Sequence, residues 1–232
     1  MLTAVTGINW GDEGKGRVID LLAEHADIVV RYQGGNNAGH TVVNKQGKFI
    51  LNLLPSGILH PDVVCVLGDG MVIDLNHLSN EIAQIRTQDV SVSPKNLKLS
   101  TRATISMPWH KIQDELEEER LSKSGAAFGS TKRGIAYAYS DKYRKKTIRL
   151  GDLLHLDEEN VQARLKTMLE AKTLELAGCY HQEPMSLSAL LSWCRQKAAK
   201  YAPYITDTGA FLEDALSKGK RVVLEAQLGA MR

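Results

Sequence analysis

Residues 2–34 constrain the fold more than any other stretch. LTAVTGI (2–8) is short, apolar and β-rich, and it runs into a glycine as a buried strand entering a tight turn does. GRVIDLLAEHA (16–26) then carries Val18, Ile19, Leu21 and Leu22 at helical spacing, and DIVVRY (27–32) is a second strand. A helix between two successive strands of one sheet makes those strands parallel. VVCVLGDG (63–70) repeats the apolar strand ending in glycines, and LNHLSNEIAQIRT follows as a helix with Leu75, Leu78, Ile82 and Ile85 on one stripe. HTVVNKQGKFIL reads as a hairpin around NKQGK.

From about residue 106 the pattern turns helical. WHKIQDELEEERL is a charged helix, SKSGAAFGSTKRG a loop, and 157–218 mainly helices broken near Gly178, Pro184 and Pro203. KRVVLEAQ (220–227) returns to the sheet. The expectation is an α/β protein with a mainly parallel central sheet and flanking helices. It is read as one domain over 1–232, with about 106–218 a largely helical insertion.

With 29 Lys+Arg against 27 Asp+Glu, the formal charge of +2 gives no footprint for nucleic acid. Cys65, Cys179 and Cys194 are an odd number without a CxxC pair, so neither a disulfide framework nor a zinc site is expected. A reduced cytoplasmic compartment fits them. No apolar run reaches the roughly 20 residues of a membrane span. The opening residues lack the basic start of a signal peptide.

NWGDEGKGR (9–17) resembles a phosphate-binding loop but fails the G-x-x-x-x-G-K-[ST] pattern at both ends, with Asn9 and Gly16 in the first and last places. Its ingredients survive: Gly11, Gly14 and Gly16 free the backbone amides, Lys15 supplies a cation, and a helix N-terminus favours anions. Asp12 and Glu13 do not suit a bare phosphate cradle. They suit a loop that also holds Mg²⁺ or removes a proton from a second substrate. The plain alternative is that both acids answer the helix dipole. RYQGGNNAGHT (31–41) follows the second strand and belongs at the same sheet edge. His40 there is matched to proton transfer near neutral pH.

Together, NWGDEGKGR and VVRYQGGNNAGHTV resemble the adenylosuccinate synthetase family. LLPSGIL, GDGMVID, FGSTKRGIAYAYSDKY, IRLGDL and VVLEAQLGA follow in the family's order. The resemblance implies a P-loop-NTPase-like fold and GTP-dependent joining of IMP and L-aspartate through 6-phosphoryl-IMP, with Mg²⁺, in a homodimer. By the same resemblance Asp12 is the catalytic base and a metal ligand with the Gly39 carbonyl, and His40 is the general acid. Gly11, Glu13, Gly14, Lys15, Gly16, Gly39 and Thr41 match the GTP phosphate site. Asp12, Lys15, Asn37 and Thr131 match IMP contacts, and Gln33 lies nearby. Lys145, beside Arg144, stands where the family sends an arginine to its partner's IMP. Gln227 stands one residue from the family's IMP glutamine, with Leu228 in that register. Lys132 replaces a common glycine.

The family's later guanine- and aspartate-recognising segments have no counterpart here, so the chain reads as an amino-terminal portion. Two other readings remain open at this point: a non-catalytic nucleotide- or phosphate-binding module, and a conventional P-loop GTPase.

Overall fold

The computed structural model describes residues 1–9, 13–44, 47–183, 185–229 and 231. Along the chain run β1 (Leu2–Gly7), α1 (Lys15–Ala23), β2 (Ile28–Gly34), β3 (His40–Asn44), β4 (Gly47–Leu51), β5 (Val64–Ile73), α2 (Leu75–Arg86) and β6 (Leu97–Ser100). Next come β7 (Thr104–Ile105), α3 (Pro108–Lys123), α4 (Ile135–Tyr143), α5 (Glu159–Tyr180) and α6 (Leu187–Tyr201). β8 (Ile205–Thr206), α7 (Thr208–Ser217) and β9 (Val222–Gly229) complete the elements. They form two compact units, Met1–Ala103 with Pro203–Arg232, and Thr104–Ala202.

In the first unit the strands lie in the order β1-β9-β2-β5-β6-β8, every neighbouring pair parallel. This is the mainly parallel sheet that the β-loop-α-β pattern predicts. Val222 sits in register with Leu2 on one side and Ile28 on the other, so the strand latest in sequence fills the gap between the first two. Ile28, Val30, Val66 and Val222 are buried with Ala215 of α7, and Phe211 and Leu212 pack against them. Burying each large aliphatic side chain contributes roughly 1.5–3 kcal/mol, which ties β9 into the sheet. β3 and β4 form a separate antiparallel pair, His40 opposite Leu51 and Asn44 opposite Gly47. Lys45 and Gln46 of the expected turn lie outside the described residues.

Leu75, Leu78, Ile82 and Ile85 of α2 are all buried, as their spacing predicts. The Asp74 carboxylate caps that helix by accepting the Asn76 and His77 N–H groups at 2.9 and 3.0 Å. The stripe expected on α1 is corrected. Its buried face is Gly16, Ile19, Asp20 and Ala23, while Val18, Leu21 and Leu22 are exposed. Residues one apart point about 100° from each other on a helix, so the face that Ile19 and Ala23 bury excludes Val18, Leu21 and Leu22.

The second unit is helical. α5 ends at Tyr180, two residues past Gly178 and close to the expected break, with His181 at φ 54° as its C-cap. A helical glycine costs only about 0.5–1 kcal/mol, so α5 carries Gly178 in its last turn, held by the burial of Val161, Leu165, Leu169 and Leu176. Pro184 lies outside the described residues, and Pro203 falls in a short 3-10 turn at Ala202–Tyr204. The three cysteines are free thiols. Among the described residues no helix is long and apolar enough to cross a membrane.

Candidate functional site

Because β9 lies between β1 and β2, three segments distant in sequence meet at the carboxyl ends of these strands. A cavity of about 290 Å³ opens there, walled by residues 13–17 after β1, residues 38–41 after β2, Arg31, and residues 225–228 of β9. Open parallel sheets place ligands at such strand ends.

The two turns touch. A Cβ on Gly16 would lie 2.8 Å from His40 Cδ2, so only glycine lets the first turn of α1 rest on the imidazole. His40 Nε2 is 3.0 Å from Ser56 Oγ and 3.5 Å from Glu225 Oε1. Glu225 Oε2 accepts the Ser56 N–H at 3.0 Å. Arg31 is buried, donates to the Asn52 carbonyl, and its Nε has no hydrogen-bond partner among the described residues.

Burial, reinforced by the Arg31 charge, pushes the His40 imidazole down to about 3. Burial raises the Glu225 carboxyl, and the opposing pull of Arg31, the Ser56 N–H and Lys15 does not overcome it. At neutral pH the imidazole is therefore neutral. Its Nδ1 makes no hydrogen bond to the described residues. An arriving polyphosphate would favour the charged ring, because a nearby opposite charge raises a histidine pKa.

Lys15 Nζ lies 2.6 Å from Glu13 Oε2, and Glu13 Oε1 accepts the Asn9 N–H at 2.8 Å. An anion entering the turn must compete with Glu13 for the ammonium. Across the cavity, Gln227 Oε1 accepts the Gly35 N–H at 2.7 Å, and its Nε2 donates to the Gly35 carbonyl at 2.8 Å and to Asn37 Oδ1 at 2.9 Å. Gln227 thereby fixes the amide of Asn37. Leu228 lines the cavity beside it.

Glu13, Gly14, Lys15, Gly16, Gly39, His40, Thr41 and Gln227 thus share one cavity wall, with Asn37 bonded to it. Gly11 and Asp12 lie outside the described residues. The adenylosuccinate synthetase family model matches residues 4–232. The chain belongs to the adenylosuccinate synthetase family. It is 45% identical over 230 residues to the adenylosuccinate synthetase of Caldicellulosiruptor bescii, covering 99% of this chain and 53% of the relative. The Carboxydothermus hydrogenoformans enzyme of the same name is 46% identical over 225 residues, covering 97% and 51%. The fully ligated adenylosuccinate synthetase of Plasmodium falciparum has a TM-score of 0.83 at 35% identity, over 98% of this chain and 51% of that one. The chain spans about half the length of the curated relatives it matches.

Family membership draws attention to two expected site residues in the second unit. Thr131 is exposed in the turn before α4, and Lys145 is exposed just after α4 with φ 59°. Arg144 Nη1 lies 3.9 Å from the buried Asp141 carboxylate. Arg31, Ser56 and Glu225 were not anticipated from the sequence. A signal existed for two of them: Arg31 and Glu225 are charges inside otherwise apolar strands, and such residues are seldom buried without a partner.

Proposed function

We propose that this chain carries the phosphoryl-transfer site of an adenylosuccinate synthetase, which joins IMP and L-aspartate at the expense of GTP. The reaction yields adenylosuccinate, GDP and phosphate, a ligase step in AMP biosynthesis. The observation that carries this reading is the convergence of the 13–17 and 38–41 turns on one cavity, with His40 in its wall. Both compact units are read as one catalytic domain with a helical insertion.

Asp12 takes the N1 proton of IMP, so that O6 becomes nucleophilic. O6 attacks the γ-phosphorus, the bond to the β-phosphate oxygen breaks, and GDP leaves. The amine of aspartate then displaces phosphate from C6. His40 takes up a proton from water as the polyphosphate binds, and the imidazolium then donates a hydrogen bond to the transferring group and stabilises its charge. Lys15 turns from Glu13 to the phosphates, with the amides of Gly11, Glu13, Gly14 and Gly16 and the Thr41 hydroxyl. Asn37, set by Gln227, and Thr131 contact IMP. Lys145 reaches the IMP of a second subunit in a homodimer. A cytoplasmic setting suits free cysteines.

The donor chemistry fits Mg²⁺. The wall brings the Gly39 main chain and the Glu13 carboxylate, and Asp12 would add a second acid. Mg²⁺ commonly takes one or two carboxylates plus substrate phosphates. The lack of any group of three His, Cys, Asp or Glu among the described residues is compatible with that mode. Gly39 and Asp12 would hold the ion, which supplies charge neutralisation on the phosphates.

The test is phosphate release from the full chain. It should require IMP, GTP and aspartate together, and Asp12→Asn should lower it about 10²–10⁴-fold, the usual contribution of a general base. Release without IMP, or near-normal turnover of Asp12→Asn, would overturn the assignment.

A further inference from the structure

Asp114 and Glu118 stand four residues apart on α3, so they share one face of the helix. Both are buried. A buried carboxylate is costly unless donors fill its lone pairs, and here the donors come from one turn. Glu118 Oε1 accepts the Gly129 and Ser130 N–H groups at 2.7 and 3.3 Å, and Oε2 accepts the Phe128 N–H at 3.3 Å. Asp114 Oδ1 accepts the Ser130 hydroxyl at 2.6 Å, and Oδ2 the Gly134 N–H at 2.8 Å. Ser130 Oγ in turn accepts the Lys132 N–H at 3.1 Å.

The turn is also pinned sterically. Gly134 has φ 73°, and a Cβ there would lie 2.4 Å from the His110 carbonyl carbon. Lys132 has φ 54°, a region that non-glycine residues avoid and hold only where surroundings enforce it. With the inward N–H groups committed to the two acids, the Thr131 side chain stays exposed to meet a ligand.

We propose that Glu118 and Asp114 are positioning residues for nucleotide binding, holding the 128–134 turn in the shape that offers Thr131 to IMP. The inference rests on the reading of Thr131 as an IMP contact. A turn fixed beforehand spares the ligand the cost of ordering it. The two acids touch no substrate.

The experiment compares hydrogen exchange at residues 128–134 with IMP affinity, by calorimetry and KM, in the full chain. Glu118→Ala should speed exchange of the 128–130 amides and weaken IMP about tenfold or more, the scale of lost charge-assisted hydrogen bonds. kcat should change by less than about threefold, because no transition-state contact is removed. Asp114→Ala should speed exchange at Gly134 and weaken IMP as well, and Asp114→Asn should restore both, since the amide oxygen can still accept from Gly134 while the Ser130 hydroxyl reverses to accept. Glu118→Gln keeps one accepting oxygen and should fall between; it serves if Glu118→Ala misfolds. Loosened amides with unchanged IMP affinity would overturn the proposal, as would unchanged exchange. Failure of the wild type to bind IMP would instead remove the ligand reading beneath it.

Discussion

Two histidines, the buried His110 and the half-buried His40, one in each unit, are paired with carboxylates to opposite effect. His110 Nδ1 accepts the Met107 N–H at 3.0 Å, so the ring proton sits on Nε2 and is donated to Asp141 Oδ2, also 3.0 Å away. Lys172 Nζ lies 3.2 Å from the same carboxylate oxygen and 2.8 Å from Glu175. Burial tends to raise the Asp141 carboxyl, but His110 and Lys172 outweigh it and hold the group below its usual range. Burial lowers the His110 imidazole even though Asp141 pulls the other way. Every polar atom of that ring is spent on the protein. His40 differs on each count: its carboxylate is 3.5 Å away and raised rather than lowered, and its Nδ1 bonds to none of the described residues. The ring forms part of a cavity wall. A histidine with both nitrogens committed holds a fold, whereas one with a nitrogen to spare beside a cavity can serve a ligand.

The sharpest way to break this contrast is to truncate both rings. His40→Asn should lower IMP- and GTP-dependent turnover about 10²–10⁴-fold while leaving the thermal midpoint nearly unchanged. His110→Asn should do the reverse. Removing one member of a buried ionic cluster costs roughly 3–5 kcal/mol, so its midpoint should fall, with turnover per folded molecule largely kept. A stability loss in His40→Asn matching that in His110→Asn would erase the distinction.

What the sequence conveyed follows the same division between local and distant structure. The turns at 13–16 and 34–39 were readable because strand, turn and helix signals sit side by side in the chain. The placement of β9 between β1 and β2 depends on pairing across about 190 residues, so Glu225 could not be assigned to His40 from spacing. The short strands β6 and β8, four and two residues, carry too few side chains to announce themselves. Asp114 and Glu118 were visible as acids on a charged helix, but the same pattern describes a solvated face. Only the contacts separate the two.

Acidification sharpens the comparison further. An imidazole held at about 3 in the fold and near 6.5 when unfolded binds its proton only after unfolding between those values. Its contribution is intact above about 6.5 and is lost as pH falls, at up to about 1.4 kcal/mol per pH unit. Glu225 has the opposite sign: its folded carboxyl is raised, so its contribution is present at low pH and lost as pH rises through that raised value. In the second unit Asp141 is lowered, so its contribution disappears at the acid end and adds to the His110 penalty there. Wild type should therefore lose stability relative to His40→Asn as pH drops from 6.5 toward 4, so that chemical-denaturation curves matched near neutrality separate. Parallel curves across that range would mean that His40 is not held neutral.

The smallest effect probes whether the helical unit can be stiffened without touching the cavity. Gly178 is exposed within α5, two turns beyond Lys172, and a Cβ there meets no atom within 4 Å. Its main cost is the backbone freedom it surrenders on folding, so Gly178→Ala should stabilise α5 by about 0.5–1 kcal/mol. Slower hydrogen exchange along α5, with the acid response assigned to His40 left unchanged, is the expected pair of results. Faster exchange would mean that the helix tolerates glycine there for a reason other than spare stability. A shifted His40 response would mean that the two histidine sites are energetically coupled, and the contrast between them would have to be redrawn.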